Sequence, residues 1–227
     1  MNDQRAPHFY ERILSFLSEL NISEKLPKGV VILNPYQNEE VFRLCGQFYK
    51  KYYEDMCDRQ IIVGINPGRF GGGLTGIPFT DPVKLKDDCN IENDLPKKVE
   101  LSADFIYSII DAYGGPKKFY SRYYFSSVSP LGFVKDGKNL NYYDIAKLQE
   151  ALLPFIVSSF RKQISLGIGT KRCIVLGEGK NYHFLKKLNE EYRFFNELIP
   201  LPHPRFIMQY RRKRLKEFTE IYLNVLT

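Results

Sequence analysis

The apolar run Ile61-Ile62-Val63 passes directly into GINPGRFGGGLTGIPFTD (64–81), and this junction constrains the fold more than any other stretch of the chain. A short β-branched run followed by a Pro/Gly-dense loop reads as a buried strand ending in a wide turn, where open α/β sheets place their ligand sites. Asn66 then stands at the carboxyl end of a strand. Glycines at 68, 71, 72, 73 and 76 let the backbone approach a ligand closely, while Pro67 and Pro78 restrict the turns between them. Phe79 adds a flat apolar face. One amide, bare backbone and one aromatic ring suit a planar, hydrogen-bonding ligand. The loop has neither the G-K-[ST] of a P-loop nor the G-x-G-x-x-G of a dinucleotide site.

Around this junction, strand-like and helix-like segments alternate. Strands are expected at 30–33, 60–63, 123–128, 171–176 and 196–201. Helices are expected at 8–20, 38–56, 102–113 with Ser102 as cap, 139–165 with a kink at Pro154, from 177 to about Tyr192, and from Phe206 onward. Residues 82–100 are charged and unperiodic and read as a solvated connection. The alternation predicts a three-layer α/β/α fold with a central, mostly parallel, four-stranded sheet, residues 1–227 forming one domain. Asn66, Phe79, Ser127 and His203 each end or follow a strand, so one sheet edge can gather them.

Two features near the end of the chain bear on chemistry. His203 lies between Pro202 and Pro204, and each proline restrains itself and the residue before it, which suits a positioned catalytic group. A satisfied structural histidine competes with that reading. The last helix opens with Arg211, Arg212, Lys213, Arg214 and Lys216, which could grip phosphates or form an ordinary solvated face.

Lys and Arg number 33 against 26 Asp and Glu, a net charge of +7, which fits a polyanionic partner without requiring one. The four cysteines show no C-x-x-C pair, so their spacing suggests neither a zinc site nor an iron–sulfur cluster. No apolar signal core opens the chain, and no run of 18 or more apolar residues occurs in it. A soluble, cytoplasmic protein is expected.

Taken together, GINPG…TGIPF, the SPLG after the second central strand and the late HPR resemble the uracil-DNA glycosylase superfamily, most closely its single-strand-selective monofunctional branch. The resemblance covers roughly residues 60–210. That branch reads GMNPGPFGM followed by TGVPFG; this chain reads GINPGRFGG followed by TGIPFT at the same spacing. The resemblance implies that Asn66 positions the attacking water and that Phe79 stacks on a flipped base. It places Gly64, Ile65, Gly68 and Gly72 in the base-binding loop. The family's middle motif NLCPL is SVSPL here, so Ser127 falls where the family has the asparagine that reads the pyrimidine edge. The final motif HPSPR is shortened to HPR: His203 matches the catalytic histidine, and the residues after it match the wedge that enters the duplex. Arg205, Phe206, Arg211, Arg212 and Arg214 are the DNA-contacting residues this implies, with Ile207 and Met208 beside them in the wedge.

The chemistry fits these residue types. Cleaving an N-glycosidic bond builds an oxocarbenium-like sugar while negative charge flows onto the departing base, so the site must hold a water on one side and support an oxyanion on the other. An amide such as Asn66 orients water without taking its proton, and His203 can donate a hydrogen bond to the base O2. The base must be flipped out or already unpaired. No lysine lies within the matched motifs, so a lyase step through a Schiff base is not expected. A monofunctional glycosylase acting on DNA as a monomer, without metal or cofactor and away from membranes, is the expectation. Ser127, with a shorter reach than asparagine, and Gly72, where the family has a methionine near C5, point to a wider range of damaged bases than uracil alone. Two rivals stand beside it: a non-catalytic module that recognises a modified base, and a nucleoside hydrolase on the same sheet.

Overall fold

The computed structural model describes residues 6–226. In chain order, α1 (Phe9–Ser18) leads to β1 (Val30–Leu33), α2 (Glu39–Tyr53) and β2 (Arg59–Gly64). The glycine loop holds the one-turn α3 (Gly72–Thr75), and α4 (Pro82–Asp87), α5 (Leu101–Tyr113) and α6 (Pro116–Tyr120) precede β3 (Tyr123–Ser127). A hairpin of β4 (Gly132–Lys135) and β5 (Lys138–Leu140) follows. The rest is α7 (Ala146–Ser165), β6 (Ile168–Leu176), α8 (Lys180–Tyr192), β7 (Glu197–Leu201), α9 (Pro204–Tyr210) and α10 (Leu215–Leu226).

Four strands make the central sheet in the order β3-β2-β6-β7, each neighbouring pair parallel. Alternation along a strand turns its apolar run into two cores. On β3 the Tyr124 ring lies 5.7 Å from Phe9 of α1 and 6.1 Å from Tyr53 of α2, whereas the next residue, Phe125, lies 5.4 Å from Phe119 of α6. Ile62 and Ile174 share the Phe125 face with Ile106 and Ile109 of α5 and Tyr222 of α10. Burying each such side chain is worth about 1.5–3 kcal/mol, and the expected α/β/α layering follows from it. Pro200 is tolerated within β7 because that strand is an edge.

From β2 the chain crosses to β3 on one side and later returns to β6 on the other. The carboxyl ends of β2 and β6 therefore flank a topological switch point, where such sheets open a crevice. At the opposite end of β2, Arg59 is 1% exposed and fully engaged: its guanidinium bonds both carboxylate oxygens of Asp55 at 2.7 and 2.8 Å and donates to the carbonyls of Tyr120, Cys57 and Tyr52.

The structure departs from the sequence expectations in four places. Residues 139–145 are not helical: β5 pairs with β4, and β4 with β1, in a second, antiparallel sheet, and α7 begins only at Ala146, with Pro154 inside it. Asp136 and Gly137 both have positive φ, 49° and 71°, the backbone of a type I′ hairpin turn, so D-G within FVKDGKNL was the overlooked signal. The supposed solvated connection carries α4, stitched at both ends by Asp81, which accepts from the backbone N–H of Lys84 and of Glu100, each at 2.8 Å. Helix α5 starts one residue before Ser102, with Glu100 at its N-cap. Finally, the helix expected from Phe206 is split into α9, a 3₁₀ turn over Arg212–Arg214 and α10. Among the described residues, no helix is long and apolar enough to cross a membrane.

Candidate active site

The β2–β3 ladder continues past both strands, which fixes the start of the glycine loop. Val128 N–H donates to the Gly64 carbonyl at 2.9 Å and Ser129 N–H to the Ile65 carbonyl at 3.1 Å. Gly64 also sits opposite Ser127 in the register, so residues from the first and middle motifs meet at one strand end. A Cβ on Gly64 would come within 2.7 Å of the Phe79 ring, so only glycine lets that ring lie against the strand. Phe79 itself holds φ at +55°, a strained conformation for an aromatic residue. The preceding turn imposes it: Thr75 Oγ1 donates to the Thr80 carbonyl at 2.6 Å, closing the backbone around 76–79.

His203 arrives from β7. The Gly177 N–H donates to the Leu201 carbonyl at 2.7 Å and the buried Tyr222 hydroxyl donates to the Pro202 carbonyl, pinning both sides of the strand's exit. The His203 ring centroid is 6.2 Å from that of Phe79. His203 is the N-cap of α9, and its Nδ1 accepts the Arg205 backbone N–H at 3.1 Å. That bond leaves the proton of the neutral ring on Nε2. Burial, reinforced by the Arg205 guanidinium, pushes the His203 pKa down to about 4, so at neutral pH the ring is an uncharged N–H donor.

The hairpin missed in the sequence is what holds Asn66. Its Oδ1 accepts from Tyr142 N–H at 3.0 Å, and its Nδ2 donates to the Leu140 carbonyl at 3.2 Å. The Tyr142 hydroxyl, fully buried, donates to Asn181 Oδ1 at 2.9 Å, and Asn181 Nδ2 donates to the Leu176 carbonyl at 3.0 Å and the Gly64 carbonyl at 3.4 Å. A chain of bonds thus runs from Asn66 through Tyr142 and Asn181 back to the ends of β2 and β6. One residue further along the hairpin, Asn139 Oδ1 accepts the Arg69 N–H at 3.1 Å. Neither Tyr142, Asn181 nor Asn139 belongs to a recognised motif. Only the D-G turn hinted that the segment carrying Asn139 and Tyr142 would reach the loop, and no local signal pointed to Asn181 on α8.

The other expected site residues divide. Ser127 is buried at the strand end, and its hydroxyl forms no hydrogen bond among the described residues. Gly68 leaves room for Asn139: a Cβ there would lie 3.3 Å from Asn139 Nδ2. The space anticipated at Gly72 is absent, because a Cβ would meet the Ile77 carbonyl at 3.2 Å, so that position faces the loop's own backbone. Of the expected wedge, Phe206 is 42% exposed, but Ile207 is fully buried and belongs to the core. Arg211 lies over the Phe206 ring at 5.1 Å, Arg205 and Arg212 are exposed, and Arg214 is engaged with Glu217.

The parallel sheet thus brings an amide after β2, the Phe79 ring and a neutral histidine after β7 to its carboxyl edge. The family model for the uracil DNA glycosylase superfamily matches residues 51–227, and the chain belongs to that superfamily. It is a DNA glycosylase. The crystal structure of wild-type SMUG2 from Pedobacter heparinus is similar over 97% of each chain, with 42% sequence identity and a TM-score of 0.94.

Proposed function

We propose that the protein is a monofunctional glycosylase that hydrolyses the N-glycosidic bond of uracil in DNA and initiates base excision repair. The observation that carries this reading is the His203 ring, locked by the Arg205 N–H so that a neutral Nε2–H is presented beside Phe79. A flipped base stacks on Phe79. As the C1′–N bond lengthens, electrons move onto the base and the His203 Nε2–H hydrogen bond to its O2 strengthens, which is stabilisation of the transition state rather than of the bound base. Asn66 Oδ1 has one lone pair left after accepting from Tyr142, enough to orient a water toward C1′. Water adds to C1′, its proton leaves to solvent, and the base departs as an anion to be protonated afterwards. No enzyme amine enters the scheme.

The substrate range extends beyond uracil in this reading, to 5-substituted uracils and deaminated purines such as xanthine. Support comes from Ser127: a hydroxyl rotor without an internal partner can donate or accept, and so rejects fewer base edges than a fixed amide does. The test is base release from labelled oligonucleotides carrying each base, with wild type, Asn66→Ala and His203→Ala side by side. Strand breaks that appear only after alkali, and that fall in both variants, are expected. Release from free nucleosides, or binding without release, would overturn the reading.

A further inference from the structure

Beside the glycine loop lies a depression of about 400 Å³. Three of its lining side chains are apolar and exposed: Phe70 is 42% accessible, Val99 61% and Leu101 36%. Arg69, Lys138 and Arg205 line its rim, and Glu100 is the acidic residue among the lining side chains. The Arg69 guanidinium lies 4.7 Å from the Phe70 ring centroid and Lys98 6.0 Å from it. Arg69 Nε is buried with no hydrogen-bond partner among the described residues. A buried donor on a cation is costly to leave unmet, and an anion meets it best.

The groove draws lining residues from the same two loops that carry Asn66 and His203. Arg69 follows Asn66 by three residues and is tied by its backbone to Asn139, while Arg205 follows His203 by two. A strand whose nucleotide is held by Asn66, Phe79 and His203 passes close to these two loops. We propose that this groove is a subsite for the nucleotide adjoining the flipped one, its base stacked on Phe70 and its phosphodiester held by Arg69, with Lys138 and Arg205 beside it. The inference rests on the DNA glycosylase reading above. An exposed aromatic ring flanked by cations is the arrangement that holds unpaired bases without sequence preference, because every base has a π-face. Glu100 is compatible with such an occupant: burial and the nearby Asp81 raise its pKa to about 7 against the opposing pull of Arg205, so a phosphate meets a carboxyl that is readily neutral.

The test uses a single-stranded uracil oligonucleotide and two companions in which the base on the 5′ or the 3′ side of the uracil is replaced by tetrahydrofuran. With the intact strand, Phe70→Ala is expected to raise KM about tenfold, as loss of one stacked base does, and Phe70→Trp to restore it. With the companion that lacks the stacked base, wild type already shows the raised KM and Phe70→Ala adds less than a factor of about two, since there is nothing left to stack. Arg69→Gln should lower the slope of log affinity against log salt by about 1 on the intact strand. An equal KM rise on all three strands, or no rise on any, overturns the inference. Absence of uracil release by wild type would instead overturn the glycosylase reading, so the two failures are distinguishable.

Discussion

The two ends of β2 are built on opposite rules. At the amino end, Arg59 has no exposed side chain, every donor group is paired, and its guanidinium lies over Tyr53 and Phe9 at 4.7 and 5.1 Å. At the carboxyl end, the Ser127 hydroxyl and the Glu100 carboxyl have no hydrogen-bond partner within the described residues, and neighbouring Arg69 Nε is buried and unmet. Of the buried side-chain atoms without a partner among the described residues, Arg69 Nε is the one at this end, the others lying on His8, Arg12 and Gln163, and an anion would complete its bonding. The amino end holds the strand in place, and the carboxyl end carries the proposed site.

The largest effect should come from breaking the satisfied end. Arg59→Met leaves Asp55 and three carbonyls without their donor, and a loss of about 3–5 kcal/mol is expected, read by denaturant unfolding. The fraction that remains folded should keep the wild-type kcat; a proportional loss of kcat would mean that the two ends are coupled. At the other end, His203→Ala should lower kcat by about 10²–10³, as removal of one oxyanion donor does, while the lost N-cap of α9 costs only about 1 kcal/mol of stability. Because its pKa lies near 4, wild-type activity should show no acid limb from His203 between pH 5 and 8. The sign for stability is also set: the unfolded ring binds a proton below about 6.5 and the folded one only near 4, so His203 makes stability rise with pH across that window.

A sharper division comes from Tyr142→Phe, which removes only the hydroxyl that reaches Asn181. The expected result is a kcat about tenfold lower with KM nearly unchanged, since the loop that fixes Asn66 loosens while the base platform stays; a KM effect alone would contradict it. The smallest effect concerns Glu100. It is neutral below about pH 7 and charged above, so affinity for DNA should fall a few-fold between pH 6 and 8. The groups facing it are Arg69, Lys138, Arg205 and Asp81, and Glu100→Gln should flatten the profile without shifting its acid end.

Much of this was legible in the chain itself. The continuous β-branched run at 61–63 and the glycine and proline spacing of 64–81 determine a strand end with a permissive loop, because those constraints are local and steric. The motifs at 66, 79 and 203 likewise carry the family resemblance and the side-chain types the proposed reaction uses. The helix expected at 139–165 failed because an amphipathic pattern extending upstream from α7 outweighed a two-residue turn. Ile207 failed as a wedge because nothing in HPRFIM distinguishes the side of α9 that packs on the core from the side that faces solvent.

What only the tertiary structure decided is how the reacting groups are held. Asn66 is aimed by backbone atoms 74 and 76 residues away, Tyr142 by a side chain 39 residues on, and the proton on His203 by the helix that follows it. Hydrogen bonds between segments this far apart depend on the relative placement of a hairpin and a sheet edge, and no local propensity encodes that placement. The residue types that carry the reaction are therefore written in the sequence, and their orientation belongs to the fold.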